Sequence, residues 1–303
     1  MMAKQPNIDL MQKFLRDRTY LSSFRNYMAF STDGRPHLVI ANPAILATFM
    51  GYVKFQLHQQ KSGLEVFFRG QTKNYPEIVP SLLRGDDINR INLRSQAYEE
   101  LKKRSRKLFN NKRFRVETID NFFQHYGIKS KTLDLVDNLY IAVWFATNSW
   151  RQLKDFERLC IHEPSNEEFG WIYFMAVEPP TAGSNFSNPN FTGFCNLREY
   201  HSSLSARLHC QHGITYFRQN GGTWDNSNRD FNDRCVAAVK FPNSEEFRMN
   251  GTIFTKEFLF PNSTIDNTYK LLQDNEFSDL LMEVETQFAL SPGELGQIWI
   301  YNF

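Results

Sequence analysis

Cysteine is scarce in this chain. There are four in 303 residues, Cys160, Cys195, Cys210 and Cys235, and no CxxC pair among them. A disulfide-stapled scaffold is excluded, and the four read as reduced, mostly buried thiols. An excess of one charge sign is missing too. Thirty-five Lys and Arg face 33 Asp and Glu, a net charge of +2, too balanced to imply a nucleic-acid partner from composition alone. No apolar run is long enough to span a bilayer, and Met1 to Pro6 lacks the apolar segment of a signal peptide, so the expected location is cytoplasmic. Several catalytic signatures are absent: GxGxxG after a strand, GxxxxGK[ST], HExxH and GxSxG. No internal repeat or low-complexity tract interrupts the chain.

A metal centre is not expected either. Cys195, His201, His209, Cys210, His212 and Cys235 crowd one region, but their spacings fit no zinc pattern. On a strand, adjacent His209 and Cys210 would point to opposite sides. Nothing marks a thiol with a lowered pKa for nucleophilic work.

What the chain has in quantity is phenylalanine, 28 copies within 41% hydrophobic residues, which reads as a Phe-rich core. Asn42-Pro43 opens a helix, with Asn as N-cap and Pro at the first helical position; Ile45, Leu46, Phe49, Met50 and Val53 form its apolar face. Residues 92–109 read as a helix with acidic residues before basic ones, and 118–127 as a short helix stopped by Gly127. Asn138 opens a helix that is apolar nearly all round and therefore buried. Gly170 to Val177 is a central strand by its unbroken apolar run. Residues 151–169 read as a surface connection, 183–196 as a long loop and candidate lid, and 219–233 as a further loop. Cys210 to Phe217 and Arg234 to Phe241 read as strands. Pro261-Asn262-Ser263-Thr264 caps a helix, and the apolar tail from Gln297 to Phe303 docks as a strand. This irregular alternation predicts an α+β fold, one composite domain with a mixed or antiparallel sheet and flanking helices. It divides into a helical lead-in over 1–60, a core over 61–220, and strands and a helix over 221–303 that complete it.

One stretch organises the rest. Leu64 to Phe68 is an apolar, β-prone run that ends on Arg69, Gly70 and Gln71. A guanidinium at a strand exit pairs with a carboxylate or holds a planar or anionic ligand. Gly70 lets a ligand or another backbone segment come close. Other polar residues sit at comparable exits: Gln124, His125 and Tyr126 end the short helix, Asp134 precedes the buried one, and Arg207, Gln211 and Gly213 lie on the later strand. Each alone has a structural explanation; their convergence from separate segments suggests a site.

These residues fall into short blocks that resemble the FRG domain family in order. Phe68-Arg69-Gly70-Gln71 matches the signature for which the family is named. Pro80-Ser81-Leu82-Leu83, Phe123-Gln124-His125-Tyr126-Gly127 and Leu133-Asp134 follow. Ala142-Val143-Trp144-Phe145-Ala146, Arg207 with Gln211 and Gly213, and Phe260-Pro261 complete the series, from about residue 64 to 272. The chain departs from the pattern at Lys129-Ser130-Lys131, where the family has proline-threonine-arginine, and at Leu135, where it has tryptophan. A looser resemblance is to mono-ADP-ribosyltransferases, whose first strand ends on an aromatic-Arg-Gly and whose arginine orients NAD. Asp134-Leu135-Val136 and Ile141 to Ala146 are similar in order to that family's second strand and helix. Gln211 stands where that family has its catalytic glutamate.

That resemblance implies an NAD-type pocket built around the Phe-Arg-Gly strand. Arg69, Asp134 and Gln211 take the catalytic positions, and Arg69, Gly70, Gln71, Gln124, His125 and Tyr126 contact the nucleotide. NAD is the expected substrate, and no metal is implied. A glutamine cannot act as a base, so the resemblance supports the pocket better than the transfer reaction. Two alternatives stand beside it. One is a non-enzymatic ligand- or partner-binding module. The other is a nucleic-acid-acting effector, motivated by Lys102 to Lys107 and by Lys112-Arg113-Phe114-Arg115.

Overall fold

The computed structural model describes residues 8–18, 27–85, 87–109, 119–152, 159–180, 192–218, 229–249, 254–298 and 300–301. In chain order these form α1 (Ile8–Arg18), β1 (Met28–Ser31), β2 (His37–Ile40), α2 (Pro43–Gln59), β3 (Glu65–Gln71), α3 (Ile88–Phe109), α4 (Ile119–His125), β4 (Leu133–Val136) and α5 (Leu139–Thr147). There follow β5 (Asn148–Gln152), β6 (Leu159–Pro164), β7 (Phe169–Val177), β8 (Thr192–Asn196), α6 (Leu197–Tyr200), α7 (Ala206–Cys210) and β9 (Gly213–Arg218). The last elements are β10 (Cys235–Pro242), α8 (Glu245–Arg248), α9 (Lys256–Leu259), α10 (Asn267–Leu272), α11 (Asn275–Gln287) and β11 (Ile300–Tyr301).

The fold is α+β. Among the described residues, eight strands make one mixed sheet in the order β1-β2-β10-β7-β3-β4-β9-β8. Only the β10–β2 pair is parallel. β7, the apolar run expected to be central, lies between β10 and β3, buried along nearly its whole length.

Alternation along the strands sorts the core into two faces. Val66, Phe68, Val136, Ile172 and Phe174 pack with α1, α2 and α5. Phe67, Leu133, Leu135, Tyr173, Met175 and Tyr216 pack on the other side with Ile78 and Phe231. A third apolar cluster joins α3, α4, α10 and α11 through Tyr98, Phe123, Tyr269, Phe277 and Val284. The phenylalanines work as core residues here: Phe49, Phe68 and Phe174 meet edge to face at 5.1 and 5.3 Å.

Local chemistry explains the helix starts. Asn42 Oδ1 accepts from the Ala44 and Ile45 N–H groups, and Asn138 Oδ1 from Tyr140 and Ile141. Gly127, at φ 100°, ends the short helix as expected.

Four expectations need correction. Residues 151–169 are no mere surface connection: β5 ends and β6 lies there, paired in a second sheet ordered β11-β6-β5. Charged side chains such as Arg151 and Glu163, bridged at 3.0 Å, interrupt the apolar alternation that marks a strand. The strand expected from Cys210 begins at Gly213. Residues 206–210 are helical, Gln211 is the C-cap, and His212 takes a left-handed conformation (φ 51°). His209 and Cys210 are therefore helix neighbours. The helix expected to be capped by 261–264 is capped by Asp266, which accepts from Tyr269 N. Residues 192–196, expected to end the long loop, form β8, which pairs with β9. The stretches 183–191 of the candidate lid, 219–228, the tract Lys112 to Arg115, Trp299, Asn302 and Phe303 lie outside the described residues. The tail does pair as a strand at Ile300 and Tyr301, parallel to β6. No described helix is long and apolar enough to cross a membrane.

Candidate functional site

The site is built where β3, β4 and β9 run side by side. Arg69 extends from the Phe67 face of β3, and its Nη1 donates to the backbone oxygen of Asp134 on β4 at 2.8 Å. Its Nε is buried without a hydrogen-bond partner. No carboxylate forms an ion pair with Arg69 among the described residues. Burial lowers its pKa to about 10; the positive charge of Arg84 lowers it further, while Asp134, Tyr173 and Tyr75 act the other way.

Arg84 follows the Pro80 to Leu83 segment, and its Nε donates to Val79 O at 3.3 Å. The residue is solvent-exposed, yet the protein around its head group lowers its pKa as well, while Tyr75 and Asp134 act the other way. Tyr75 is exposed, and its phenol favours the charged form of both arginines. Tyr173 carries Arg35 over its ring at 4.6 Å and donates to Asn74 Oδ1 at 3.0 Å. Two guanidiniums thus lie within electrostatic reach of each other and of the exposed Tyr75, and among the described residues no carboxylate is bonded to either. Gln71 shares their face of β3, and its Oε1 is buried without a partner.

The other expected residues gather on the opposite face. Asp134 shares its face of β4 with Val136, and one of its oxygens meets His125 from α4: Nε2 to Oδ1 is 3.3 Å. The Nδ1 of His125 lies 3.0 Å from Gln211 Oε1, and Gln211 Nε2 donates to Leu259 O at 2.8 Å. Gln211 is 4% exposed, and both ends of its amide are used inside the protein. Gly213 makes room for the ring: a Cβ there would stand 3.0 Å from His125 Cε1 and Leu197 Cδ1.

Gln124 and Tyr126 hold the scaffold. Gln124 Oε1 accepts from Ser130 Oγ and from Thr132 Oγ1, pinning the turn into β4. Tyr126, 1% exposed, donates to Asp266 Oδ2 at 2.7 Å, and that same oxygen accepts from Arg207 N at 2.8 Å. The Arg207 guanidinium is fully buried over the rings of Tyr126 (4.7 Å), Tyr269 (4.5 Å) and Phe260 (5.4 Å), and donates to His125 O. This cage ties α4, α7 and α10 together.

Gly70 has a packing reason. A Cβ at that position would come within 1.9 Å of Ala142 O and 2.9 Å of Ala146 N, so the missing side chain is where α5 lies on β3. Of the two uses expected for this glycine, close approach of another backbone segment is the one seen.

Sequence reasoning missed Arg84, Tyr75 and Asp266. Arg84 had a usable signal: like Arg69, it is an arginine directly after an apolar run. Tyr75 and Asp266 sit in polar loops, where nothing in the local pattern separates them from their neighbours.

The basic face of α3 is largely neutralised. Lys102 and Lys131 share Glu99 at 2.8 and 2.9 Å, Lys103 meets Glu100 at 3.5 Å, and Arg104 pairs with Glu283. Among the described residues, no three metal-ligating side chains cluster. A cavity of about 400 Å3 lies elsewhere, between α5, α8 and Pro164, and shares no residue with this site. It is apolar and aromatic in character, whereas the chemistry gathers at the arginine pair.

No curated protein and no solved structure matches the chain. The family comparison covers β3 through β5 and the residues just beyond it; it includes Arg69, Gly70, Arg84, His125, Asp134 and Ala142, and stops before Arg207, Gln211 and Gly213. Over that span, residues 64–155, the chain matches the family model of the FRG domain.

Proposed function

We propose that this FRG-domain protein binds a phosphate-bearing ligand of the NAD class at Arg69 and Arg84, in the manner of ADP-ribosyltransferase-like proteins. One observation carries the reading: two neighbouring guanidiniums, one largely enclosed, have no bonded carboxylate. A buried cation left unpaired is costly, and a diphosphate is the partner whose geometry fits the guanidinium fork. The exposed Tyr75 ring beside them gives a nucleotide base or nicotinamide a surface to stack on. The Asp134 charge acts on both arginines from the other face of the sheet, where its carboxylate meets His125.

A non-enzymatic binding role is the second reading, and Gln211 favours it. Its amide is committed to His125 and Leu259, so no carboxylate or free amide stands in the place of the transferase glutamate.

Calorimetric titration with ADP-ribose and NAD tests the proposal. Wild type should bind, and Arg69→Lys, which keeps the charge and loses the fork, should bind roughly 10- to 100-fold more weakly. Arg84→Ala should lose about tenfold. Release of nicotinamide from NAD separates the enzymatic reading from the binding one. Failure of the wild type to bind either ligand would sink both nucleotide readings.

A further inference from the structure

The cavity of about 400 Å3 between α5, α8 and Pro164 falls in the size range of small-molecule sites. Its wall is mostly apolar and aromatic, with Val143 and Trp144 from α5, Phe247 from α8, and Phe254. Three polar side chains also line it: Asn148, Glu245 and Arg248. What each can offer a ligand follows from the bonds it already makes.

Trp144 O can only accept, so the Asn148 amide presents its NH2 there: Nδ2 donates to Trp144 O at 2.9 Å and to Thr147 Oγ1 at 3.3 Å. Oδ1 has no partner among the described residues, and is the acceptor this side chain brings to the cavity. Arg248 is fixed by Asn243. Its Nε donates to Asn243 Oδ1 at 2.8 Å and its Nη2 to Asn243 O at 3.3 Å. Asn243 Nδ2 is tied in turn to Ser165 O and Glu167 O, both at 2.9 Å. Glu245 lies three residues before Arg248 on the same helical turn, the usual spacing of an ion pair. The two are not paired, and among the described residues neither has an opposite charge bonded to it. Met249, also in the wall, closes α8 in a left-handed conformation (φ 51°), its N–H bonded to Glu245 O and Glu246 O. A non-glycine residue held in that conformation stores backbone strain, and such strain gathers at ligand clamps.

Apolar walls, a fixed cation without a carboxylate, and two acceptors of which one is anionic complement a zwitterion with an apolar tail. We propose that this cavity binds a free α-amino acid with a large aliphatic or aromatic side chain. Arg248 receives the carboxylate through its guanidinium. Glu245 and Asn148 Oδ1 accept from the ammonium, and the side chain lies against Val143, Trp144 and Phe254. A ligand with a carboxylate alone leaves Glu245 unanswered, and an amine alone leaves Arg248 so, which selects the zwitterion against both. The cavity shares no residue with the arginine site, so the two readings stand or fall separately.

Calorimetric titration of the full chain near neutral pH, with phenylalanine and with leucine, tests the proposal. Three further probes each remove one feature: phenylpropionate lacks the ammonium, phenylethylamine the carboxylate, and glycine the side chain. Wild type should bind the two amino acids and bind each truncated probe at least about tenfold more weakly. Glu245→Gln should weaken phenylalanine about tenfold without weakening phenylpropionate, and Arg248→Gln should weaken phenylalanine without weakening phenylethylamine. Because Arg248 also bonds Asn243, its variant is checked for folding by circular dichroism, and the probe series on wild type decides the question without it. No binding of either amino acid at about 10 mM would overturn the proposal. Phenylpropionate or phenylethylamine binding as tightly as phenylalanine would overturn it too, as would folded variants at both positions that bind phenylalanine like wild type.

Discussion

Substituting Gly70 by alanine tests whether the glycine of the Phe-Arg-Gly triplet serves packing. The new Cβ would stand 1.9 Å from Ala142 O, 2.8 Å from Ala142 C and 2.9 Å from Ala146 N. Ordinary contact begins near 3.4 Å, so the helix and strand must part by about 1.5 Å. All three obstructing atoms are backbone, and no rotamer change relieves them. The helix that must move carries Ile141, Ala142, Val143 and Ala146, all buried against the sheet. Overpacking of this kind costs about 1–3 kcal/mol, and more where backbone must shift. We expect at least about 3 kcal/mol, a large part of the 5–15 kcal/mol typical of native stability. For a chain of this length that is a drop of roughly 5 °C in Tm. Urea unfolding followed by far-UV circular dichroism gives the free energy, and calorimetry gives Tm. A Gly70→Ala protein within about 0.5 kcal/mol of wild type would refute the packing argument and return the glycine to the ligand.

Acid should destabilise the protein through two buried rings. His162, stacked on Phe260 at 4.1 Å, is pushed down to about 3 by burial and by the charges of Arg207 and Lys256, and His201 to about 4. The unfolded rings titrate near 6.5, so the unfolded chain binds more protons below that pH. The stability they contribute is full above about 6.5 and is lost as pH falls toward 4 and 3, by up to about 1.4 kcal/mol per pH unit for each ring. Urea midpoints between pH 7 and 4 read this slope, and His162→Phe should flatten it; an unchanged slope would count against burial as the cause. Arg207→Met should destabilise by about 2–4 kcal/mol, since it removes the bond to His125 O and the cation from three rings. A loss below about 1 kcal/mol in the same urea assay would show that the cage is dispensable.

Legibility in the sequence follows the range of the interaction. Asn42-Pro43, Asn138 and Gly127 were readable because a cap is made within three or four residues of itself. β7 was readable because a strand buried on both faces is apolar without interruption. Gln211 shows the opposite case. Its chemistry depends on Leu259 O, 48 residues away, and on His125, 86 residues away, and no local pattern carries either distance. The short helix over 206–210 likewise has partners far from it in the chain. Its first N–H groups are ordered by Asp266, 59 residues further on, and its arginine by a cage from three other segments. The structure brings His125, Asp134 and Gln211 together and turns Arg69 to the other face, a division that no local pattern carries.

The alternation of a strand explains why one short motif does two jobs. In β3, Phe68 and Gly70 face α5, and Arg69 faces the other way with Phe67. The glycine lets the helix sit against the strand, and the helix in turn holds the level at which β4 pairs with β3, through Phe68 and Val136. That pairing puts the Asp134 carbonyl under Arg69 Nη1 on one face and the Asp134 carboxylate beside His125 on the other. The sheet is thus a partition one layer thick, with guanidiniums on one side and the His125–Asp134 contact on the other. Asp134 belongs to both sides, by its backbone to the first and by its side chain to the second.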